Sequence, residues 1–383
     1  MREIEIDDLM RLNPSERVIL DIRPEETFRR GTIEGALHIP ADEIPGRLPQ
    51  DSDKTLYVLC HTGDQSMDAA EELSEAGFRA VSIKGGYRAF LKYQLSKRME
   101  KQDAQKEERA KIERSLIKKF RKNIWCKFTK GINEYELIRD GDKIAVCISG
   151  GKDSMLMAKL FQELQRHGRA NFEPVFLIMN PGYNEENWQI IRDNAELLGI
   201  PLTVFHTDIF DAVAGIDKNP CYLCARMRRG YLYSHAKELG CNKIALGHHF
   251  DDVIETILMG MFYGGKVETM MPKLHSKNFE GMELIRPMYL IREEDIKTWR
   301  DYHQLCFIQC ACRFTEHCVS CGGEQGSKRD EMKELIAQLR EKSEFIEMNI
   351  FRSVHNVNLK TIIGYNMDGR KYCFLDDYDE RSS

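Results

Sequence analysis

The sequence predicts an α/β protein built from two parallel-sheet domains. Three observations carry that expectation. Apolar runs of strand length alternate with amphipathic helical runs along most of the 383 residues. A charged stretch without proline or glycine, Ser96–Asn123, splits the alternation into two blocks. Two of the strands run straight into glycine-containing turns that open helices, "CHTGDQS" at Cys60–Ser66 and "SGGKDS" at Ser149–Ser154. Parallel sheets of this kind are covered on both faces, and their ligands collect beyond the carboxyl ends of the strands.

Bulk properties narrow the class. The length suits two or three domains, and 42% hydrophobic with 31% charged residues is ordinary for a globular protein. No apolar run approaches the ~20 residues of a membrane span. The opening "MREIEIDDLM" is acidic where a signal peptide is basic and then apolar. A cytoplasmic protein is expected, with no membrane partner. Twelve cysteines then stay reduced, and their clustering points to metal or sulfur chemistry. The net charge of −5 conceals an asymmetry: residues 1–95 hold 12 Lys and Arg against 18 Asp and Glu. By contrast, Lys111–Lys130 holds eight basic residues and one acid, Glu113, a local excess suited to a polyanion.

In the first block, Arg17–Ile22 and Thr55–Cys60 read as buried strands and Gln65–Gly77 as a helix. The Cys60–Ser66 turn aims successive backbone N–H groups at one point, with a helix dipole behind them. An exposed cysteine at the base of such a nest is nucleophilic. A buried cysteine merely ending a strand would explain Cys60 but not the Gly63–Ser66 turn. Residues 1–95 resemble a rhodanese domain, with "DIRPEETFRRGTIEGALHIP" (Asp21–Pro40) as its opening segment and "IKGGYRAF" (Ile83–Phe90) as its closing turn. The resemblance implies that Cys60 carries a persulfide as a catalytic sulfur carrier. His61, Gln65 and Thr32 depart from the family pattern, and a less basic loop stabilises an anion less. A degenerate docking module is the alternative.

Residues 96–122 read as a charged helical linker, either a solvated helix face or part of an RNA-binding surface. The second block, 123–345, offers strands Lys143–Ile148, Pro174–Met179, Leu202–His206 and Lys243–Gly247. In "SGGKDS", Gly150 and Gly151 let the backbone approach a phosphate, Lys152 adds a cation, and Ser149 and Ser154 add hydroxyl donors. Asp153 is placed to hold Mg²⁺ near the phosphates. The spacing is not that of a Walker loop. "LGHHFDDVIETILMGMFYGG" (Leu246–Gly265) again leaves a strand for a helix and brings His248, His249, Asp251, Asp252 and Glu255 to the strand ends. Acids satisfying a helix dipole would explain the carboxylates but not the histidines. Met179 ends its strand on the same side and is counted with Ser149–Ser154, His248, Asp251 and Asp252 as nucleotide-binding. The two strings resemble the PP-loop of N-type ATP pyrophosphatases, whose doubly wound sheet is of the adenine nucleotide alpha hydrolase type. ATP is then the nucleotide, split to AMP and pyrophosphate as a substrate oxygen is adenylated.

Cys221 and Cys224 lie three apart in "NPCYLCARMRRGYLYSHAKELG" (Asn219–Gly240), on the first turn of a helix whose dipole favours thiolate. Alone, C-x-x-C serves zinc, a redox pair or an iron–sulfur cluster. Cys306, Cys310, Cys312, Cys318 and Cys321 follow within "CFIQCACRFTEHCVSCGG" (Cys306–Gly323). A zinc knuckle of Cys310, Cys312, Cys318 and Cys321 is one reading. From about Lys111 to Lys342 the combination resembles the tRNA 2-thiocytidine synthetase family, through "SGGKDS", "PCYLCARMRRG", "ALGHHFDDVIET" and "MFYGGK". The resemblance implies a 4Fe-4S cluster on Cys221, Cys224 and Cys310, with Cys318 as second choice for the third ligand, and an open iron that binds sulfide. It also implies ATP-dependent thiolation of tRNA, at a cytidine of the anticodon loop, with Lys152 and Asp153 catalytic. Sulfur would come from a cysteine desulfurase, thiosulfate or sulfide by way of Cys60, in a monomer or homodimer. A thiouridine-forming relative, an RNA-independent ligase and a non-catalytic iron–sulfur or persulfide sensor remain the alternatives. The tail 346–383 carries no readable chemistry.

Overall fold

The computed structural model describes residues 3–44, 54–168, 170–213, 220–308 and 328–378. The chain divides into two compact units, Met1–Glu107 and Glu108–Ser383.

The first unit contains β1 (Glu3–Ile4), α1 (Ile6–Arg11), β2 (Arg17–Asp21), α2 (Glu25–Arg29), β3 (Leu37–His38), β4 (Thr55–Leu59), α3 (Asp64–Glu75), β5 (Ala80–Ile83) and the start of α4 (Gly86–Ile117). Its five strands are parallel in the order β1-β5-β4-β2-β3. The central runs "VIL" and "LYVL" are apolar without alternation because helices cover both faces. Leu56, Val58 and Cys60 pack against Ala69, Ala70 and Leu73 of α3, while Tyr57 and Leu59 pack on the opposite face with Ile6, Leu9 and Phe90.

Helix α4 runs for 32 residues. The expected linker is solvated only in its first half. Ile112 and Leu116 are fully buried, and Phe120 and Ile124 continue the same stripe into the core of the second unit. The boundary expected at 122 therefore lies too late: apolar spacing of four residues resumes at Ile112 and commits the chain to the second core.

After a π-helical turn at Arg121–Trp125, the second unit continues through α5 (Cys126–Glu134), β6 (Lys143–Ile148), α6 (Lys152–His167), β7 (Glu173–Asn180), α7 (Glu185–Leu198), β8 (Leu202–His206), α8 (Ile209–Val213) and α9 (Pro220–Glu238). Next come β9 (Lys243–Ala245), α10 (Phe250–Gly264), β10 (Lys273–His275), β11 (Glu283–Ile285), α11 (Glu293–Tyr302), α12 (Lys328–Lys342), α13 (Ile346–Ser353) and the hairpin β12 (Gly364–Met367) and β13 (Arg370–Cys373). The sheet order is β10-β11-β9-β6-β7-β8, parallel except for the edge strand β10. Strand β6 sits where the order reverses, with β7 on one side and β9 on the other. A doubly wound sheet opens its crevice at that switch point. Part of the expected tail belongs to this core: Phe351 of α13 packs against Phe250 and Tyr289. Among the described residues, no helix is long and apolar enough to cross a membrane.

Candidate functional site

At the end of β6 the chain turns sharply into α6. Gly150 adopts φ 83°, and a Cβ there would come within 2.6 Å of Ile191 and 2.8 Å of Ile308, so both backbone freedom and space require glycine. Ser154 closes the turn: its Oγ accepts from the Ser149 N–H and hydroxyl, each at 3.1 Å, and donates to the Gly151 carbonyl at 3.0 Å. Gly151 precedes the first helical residue, Lys152, whose Nζ lies 3.1 Å from Asp153 Oδ2. The other oxygen, Asp153 Oδ1, is buried and has no hydrogen-bond partner among the described residues. A buried carboxylate oxygen without a donor is costly, and a cation or phosphate-bound metal at this point would remove the cost.

The second loop crosses the first closely. A Cβ on Gly247 would lie 3.3 Å from Ser154 N. His249 caps α10, accepting from the Asp252 N–H while the Asp252 carboxylate accepts from the His249 N–H at 2.9 Å. Burial would raise Asp252; the neighbouring His249 ring and the Arg329 guanidinium outweigh it and hold the carboxyl below its ordinary range. Burial pulls His248 down to about 4 against the nearby Asp252 carboxylate, so the ring is neutral, and its Nδ1 is buried without a partner among the described residues.

These residues share one cleft of about 380 Å³ beyond the ends of β6, β7 and β9. Ser149, Asp153, Ser154, Met179, His248 and Asp252, all among the residues expected to bind nucleotide, line it. Cys147 lines it too, but burial pushes its thiol up to about 12 and it stays neutral. Asp251 departs from expectation. Its carboxylate turns to Arg292 at 3.2 Å and to the Glu293 N–H at 2.7 Å, outside the lining. Glu255 is likewise held away, buried against Arg329 at 2.7 Å, with burial pushing it up. Gly150, Gly151 and Lys152 form the loop but not the lining. Lys152 instead reaches Glu293, 3.0 Å away.

Helix α9 brings the cysteine segment to this cleft. Arg228 and Leu232 line it, and Cys224 lies one helical turn before Arg228 on the same face. Cys224 is half-buried where the two cores of the unit meet. Positions 221 and 224 share the first turn of α9, a donor set whose chemistry suits thiolate-bound iron or zinc. The side chain of Cys221, and Cys310, Cys312, Cys318 and Cys321 entirely, lie outside the described residues. Among the described residues, no three His, Cys, Asp or Glu side chains group to hold a metal. Lys118, Lys119, Arg121 and Lys122 are exposed, with Lys119 Nζ 3.5 Å above the Tyr302 ring.

In the first unit, Cys60 is 1% exposed, not the exposed thiol expected. Strand parity is the reason: Cys60 continues the inward row of Leu56 and Val58. Its Sγ accepts from the Gly63 N–H at 3.0 Å, and Gly63 takes φ 106° to make that turn. The closing turn presses on the loop from outside, with Tyr87 N–H donating to the Cys60 carbonyl at 2.8 Å and Arg88 N–H to that of His61 at 3.2 Å. A Cβ on Gly86 would sit 2.5 Å from the Cys60 carbonyl oxygen. Asp21, Arg23 and Thr32 of the opening segment form a buried brace: Arg23 pairs with Asp21 at 2.6 Å and lies 3.7 Å beneath Tyr87, and Thr32 donates to Asp21 at 2.6 Å.

Sequence reading missed Glu293, Arg292 and Arg329 as partners of the loops, and Arg228 as part of the cleft wall. The one available signal was Arg228 itself, a basic residue a turn beyond a C-x-x-C.

Comparison with known proteins gives the following. Residues 5–93 match the rhodanese-like domain family and residues 118–312 the PP-loop domain family. A tRNA-cytidine(32) 2-sulfurtransferase of Alcanivorax borkumensis is 35% identical over 250 residues, 64% of this chain and 84% of the relative. One of Vibrio cholerae serotype O1 is 36% identical over 262 residues, 66% of this chain and 80% of the relative. A solved U34-tRNA thiolase of Methanococcus maripaludis, with its 4Fe-4S cluster, is 21% identical with a TM-score of 0.47, covering 67% of this chain and 86% of that one.

Proposed function

Because the chain belongs to the tRNA-cytidine(32) 2-sulfurtransferase family, we propose that it replaces the C2 oxygen of a cytidine in the tRNA anticodon loop by sulfur, with cleavage of ATP to AMP and pyrophosphate. One observation supports this reading most. Asp153 and His248 enter the same switch-point cleft from two loops, and each keeps a buried polar atom without a partner among the described residues.

The triphosphate lies along Ser149–Ser154, where backbone N–H groups and the start of α6 meet negative charge. Asp153 and Asp252 would hold Mg²⁺ there, and the ion would neutralise phosphate charge. The cytidine O2 attacks the α-phosphorus and pyrophosphate leaves; the loop N–H groups and Lys152, released from Glu293, stabilise the charge that builds up. Neutral His248 accepts or donates one hydrogen bond at Nδ1 without adding charge. Cys221, Cys224 and Cys310 would hold a 4Fe-4S cluster, and the chemistry it would supply is delivery of sulfide to the activated base. Sulfide adds to C2 and AMP departs with the original oxygen, leaving the thiocarbonyl. Cys60 serves as the persulfide carrier, and release of its outer sulfur as sulfide takes two electrons from a reducing thiol.

The test is an anaerobic incubation with tRNA, ATP and sulfide, followed by mass spectrometry of the digested nucleosides and assay of pyrophosphate. Tightly tRNA-dependent pyrophosphate release with 2-thiocytidine as product is expected. A thiouridine product would move the reading to the other base, and no pyrophosphate at all would sink it.

A further inference from the structure

Helix α9 presents two faces to two different cavities. Arg228 and Leu232, four residues apart, line the nucleotide cleft. Arg226, Arg229 and Tyr233, spaced by three and four, line a second cavity of about 560 Å³. Its far wall is the loop joining β10 to β11, with Lys277 and Phe279, and Arg286 just beyond the end of β11.

This cavity is cationic. Among the described residues, no Asp or Glu lines it. Arg226, Arg229 and Lys277 form no ion pair among the described residues. Arg286 is only 8% exposed. One of its Nη groups donates to the Met271 carbonyl, while its Nε is buried with no acceptor among the described residues. Burial pulls this guanidinium down to about 10, so it remains a cation at neutral pH. A stacked pair, Tyr233 and Phe279 with ring centroids 5.0 Å apart, excludes water from one side. A buried guanidinium with an unspent donor, beside further unpaired cations, is costly unless an anion completes it. The guanidinium also acts electrostatically on His248 and Asp252, so an anion bound here lies close to the nucleotide loops.

We propose that this second cavity is a phosphate site for the RNA backbone, in which Arg286, Arg229 and Arg226 grip one phosphodiester of the substrate and so fix the distance of the target nucleotide from the ATP cleft. The inference rests on the proposed RNA substrate. ATP occupies the other side of α9, and the remaining polyanion of that reaction is the RNA. Arginine is suited to the task, since its planar fork takes two phosphate oxygens at once. Arg286 is a positioning residue: it touches backbone, not the reacting base.

The test uses the full chain and a synthetic RNA hairpin with the anticodon-loop sequence, unmodified and with single phosphates replaced by uncharged methylphosphonates. For the wild type, one replacement near the target nucleotide is expected to weaken binding about tenfold. Arg286→Gln and, as a variant at an exposed position where little packing is lost, Arg229→Gln are each expected to weaken the unmodified hairpin about tenfold and lower the salt slope by about one. In both variants the same methylphosphonate should cost nothing further, while Arg229→Gln leaves binding of a fluorescent ATP analogue unchanged. If both variants keep the full methylphosphonate penalty at every position, the cavity holds no RNA phosphate. Protection of Arg286 by inorganic phosphate without loss of any RNA position would assign a free anion and overturn the proposal. If the wild type thiolates the hairpin yet the variants bind it normally, this inference alone fails; if the wild type does not bind the hairpin at all, the proposed substrate fails with it.

Discussion

Lys152 and Glu293 form an ion pair across the nucleotide loop, Nζ to Oε1 at 3.0 Å, bringing the start of α6 to the start of α11. Lys297 joins them at 3.0 Å from the other Glu293 oxygen. Lys152 is thus already occupied. On the proposed reading, a triphosphate bound at the loop would compete with Glu293 for it, and Glu293 would supply the counter-charge in the absence of nucleotide.

Glu293→Gln should therefore tighten ATP binding. An ion pair that is one-fifth exposed at this depth is worth about 1 kcal/mol, so a gain of roughly threefold to tenfold is expected. Calorimetric titration with ATP and Mg²⁺ measures it, and weaker binding would show that Glu293 supports Lys152 more than it competes for it.

Lys152→Ala and Asp153→Ala should each abolish pyrophosphate release and leave the fold intact. Both residues sit on the first turn of α6 with their charges directed to the loop, and neither belongs to a hydrophobic cluster of the core. A normal circular dichroism melt with no pyrophosphate is the expected pair of results; full release by both variants would remove the adenylation step.

Glu293 also sets an acid limit on stability. Burial alone would raise its carboxyl, but hydrogen bonds from Lys297 and Lys152 outweigh it and hold it at about 2, against 4.5 for an ordinary glutamate. A carboxyl depressed in the folded state stabilises the protein while it is ionised. That contribution is complete above about 4.5 and is lost as the pH falls from there through 2. The difference in melting temperature between wild type and Glu293→Gln should shrink over that window. A difference independent of pH would assign the effect to packing.

The strand–turn–helix strings at Ser149 and Leu246 were legible because their glycines and polar residues sit where apolar periodicity changes. Asp251 was not. Neighbours on a helix point about 100° apart, so of Asp251 and Asp252 only one can face the cleft, and spacing does not say which. Arg292 and Arg329 decide it from 41 and 77 positions downstream, out of reach of any local pattern. The brevity of β1, β3 and β10, two or three residues each, hid three sheet edges in the same way, and that of β11 hid the strand beside one of them. Cys60 was misplaced for a still simpler reason: the residue just past β4 keeps the pleat of Leu56 and Val58 and packs with them against α3.

The exposed cations of Lys118, Lys119, Arg121 and Lys122, with those of α9, should bind tRNA through phosphates. Neutralising two, such as Lys118→Gln with Lys122→Gln, should weaken binding and lower the slope of log affinity against log salt by about two, since each phosphate contact releases roughly one counterion. An unchanged slope would leave them as a solvated helix face.

On the proposed reading the cysteine chemistry divides between the two units, and the division can be tested. One missing thiolate leaves an iron without a ligand, so Cys221→Ala, Cys224→Ala and Cys310→Ala should each lose the brown 4Fe-4S absorbance and all thiolation. Cys60 lies in the other unit, buried behind Gly63 with its sulfur already accepting a backbone N–H. Cys60→Ala should keep the brown colour and pyrophosphate release. It should lose sulfur transfer from thiosulfate or a desulfurase, yet thiolate tRNA when free sulfide is supplied. The burial of Cys60 sharpens the expectation: a donor must open the loop held by Tyr87 and Arg88 to reach Sγ, so transfer from a bulky donor should be slower than from thiosulfate in the wild type. If Cys60→Ala is inactive even in excess sulfide, Cys60 takes part in insertion itself and the division is wrong. If Cys310→Ala keeps its colour while Cys318→Ala loses it, only the third ligand moves. A colourless, zinc-loaded protein after anaerobic purification, active without iron, would replace the cluster by the zinc knuckle.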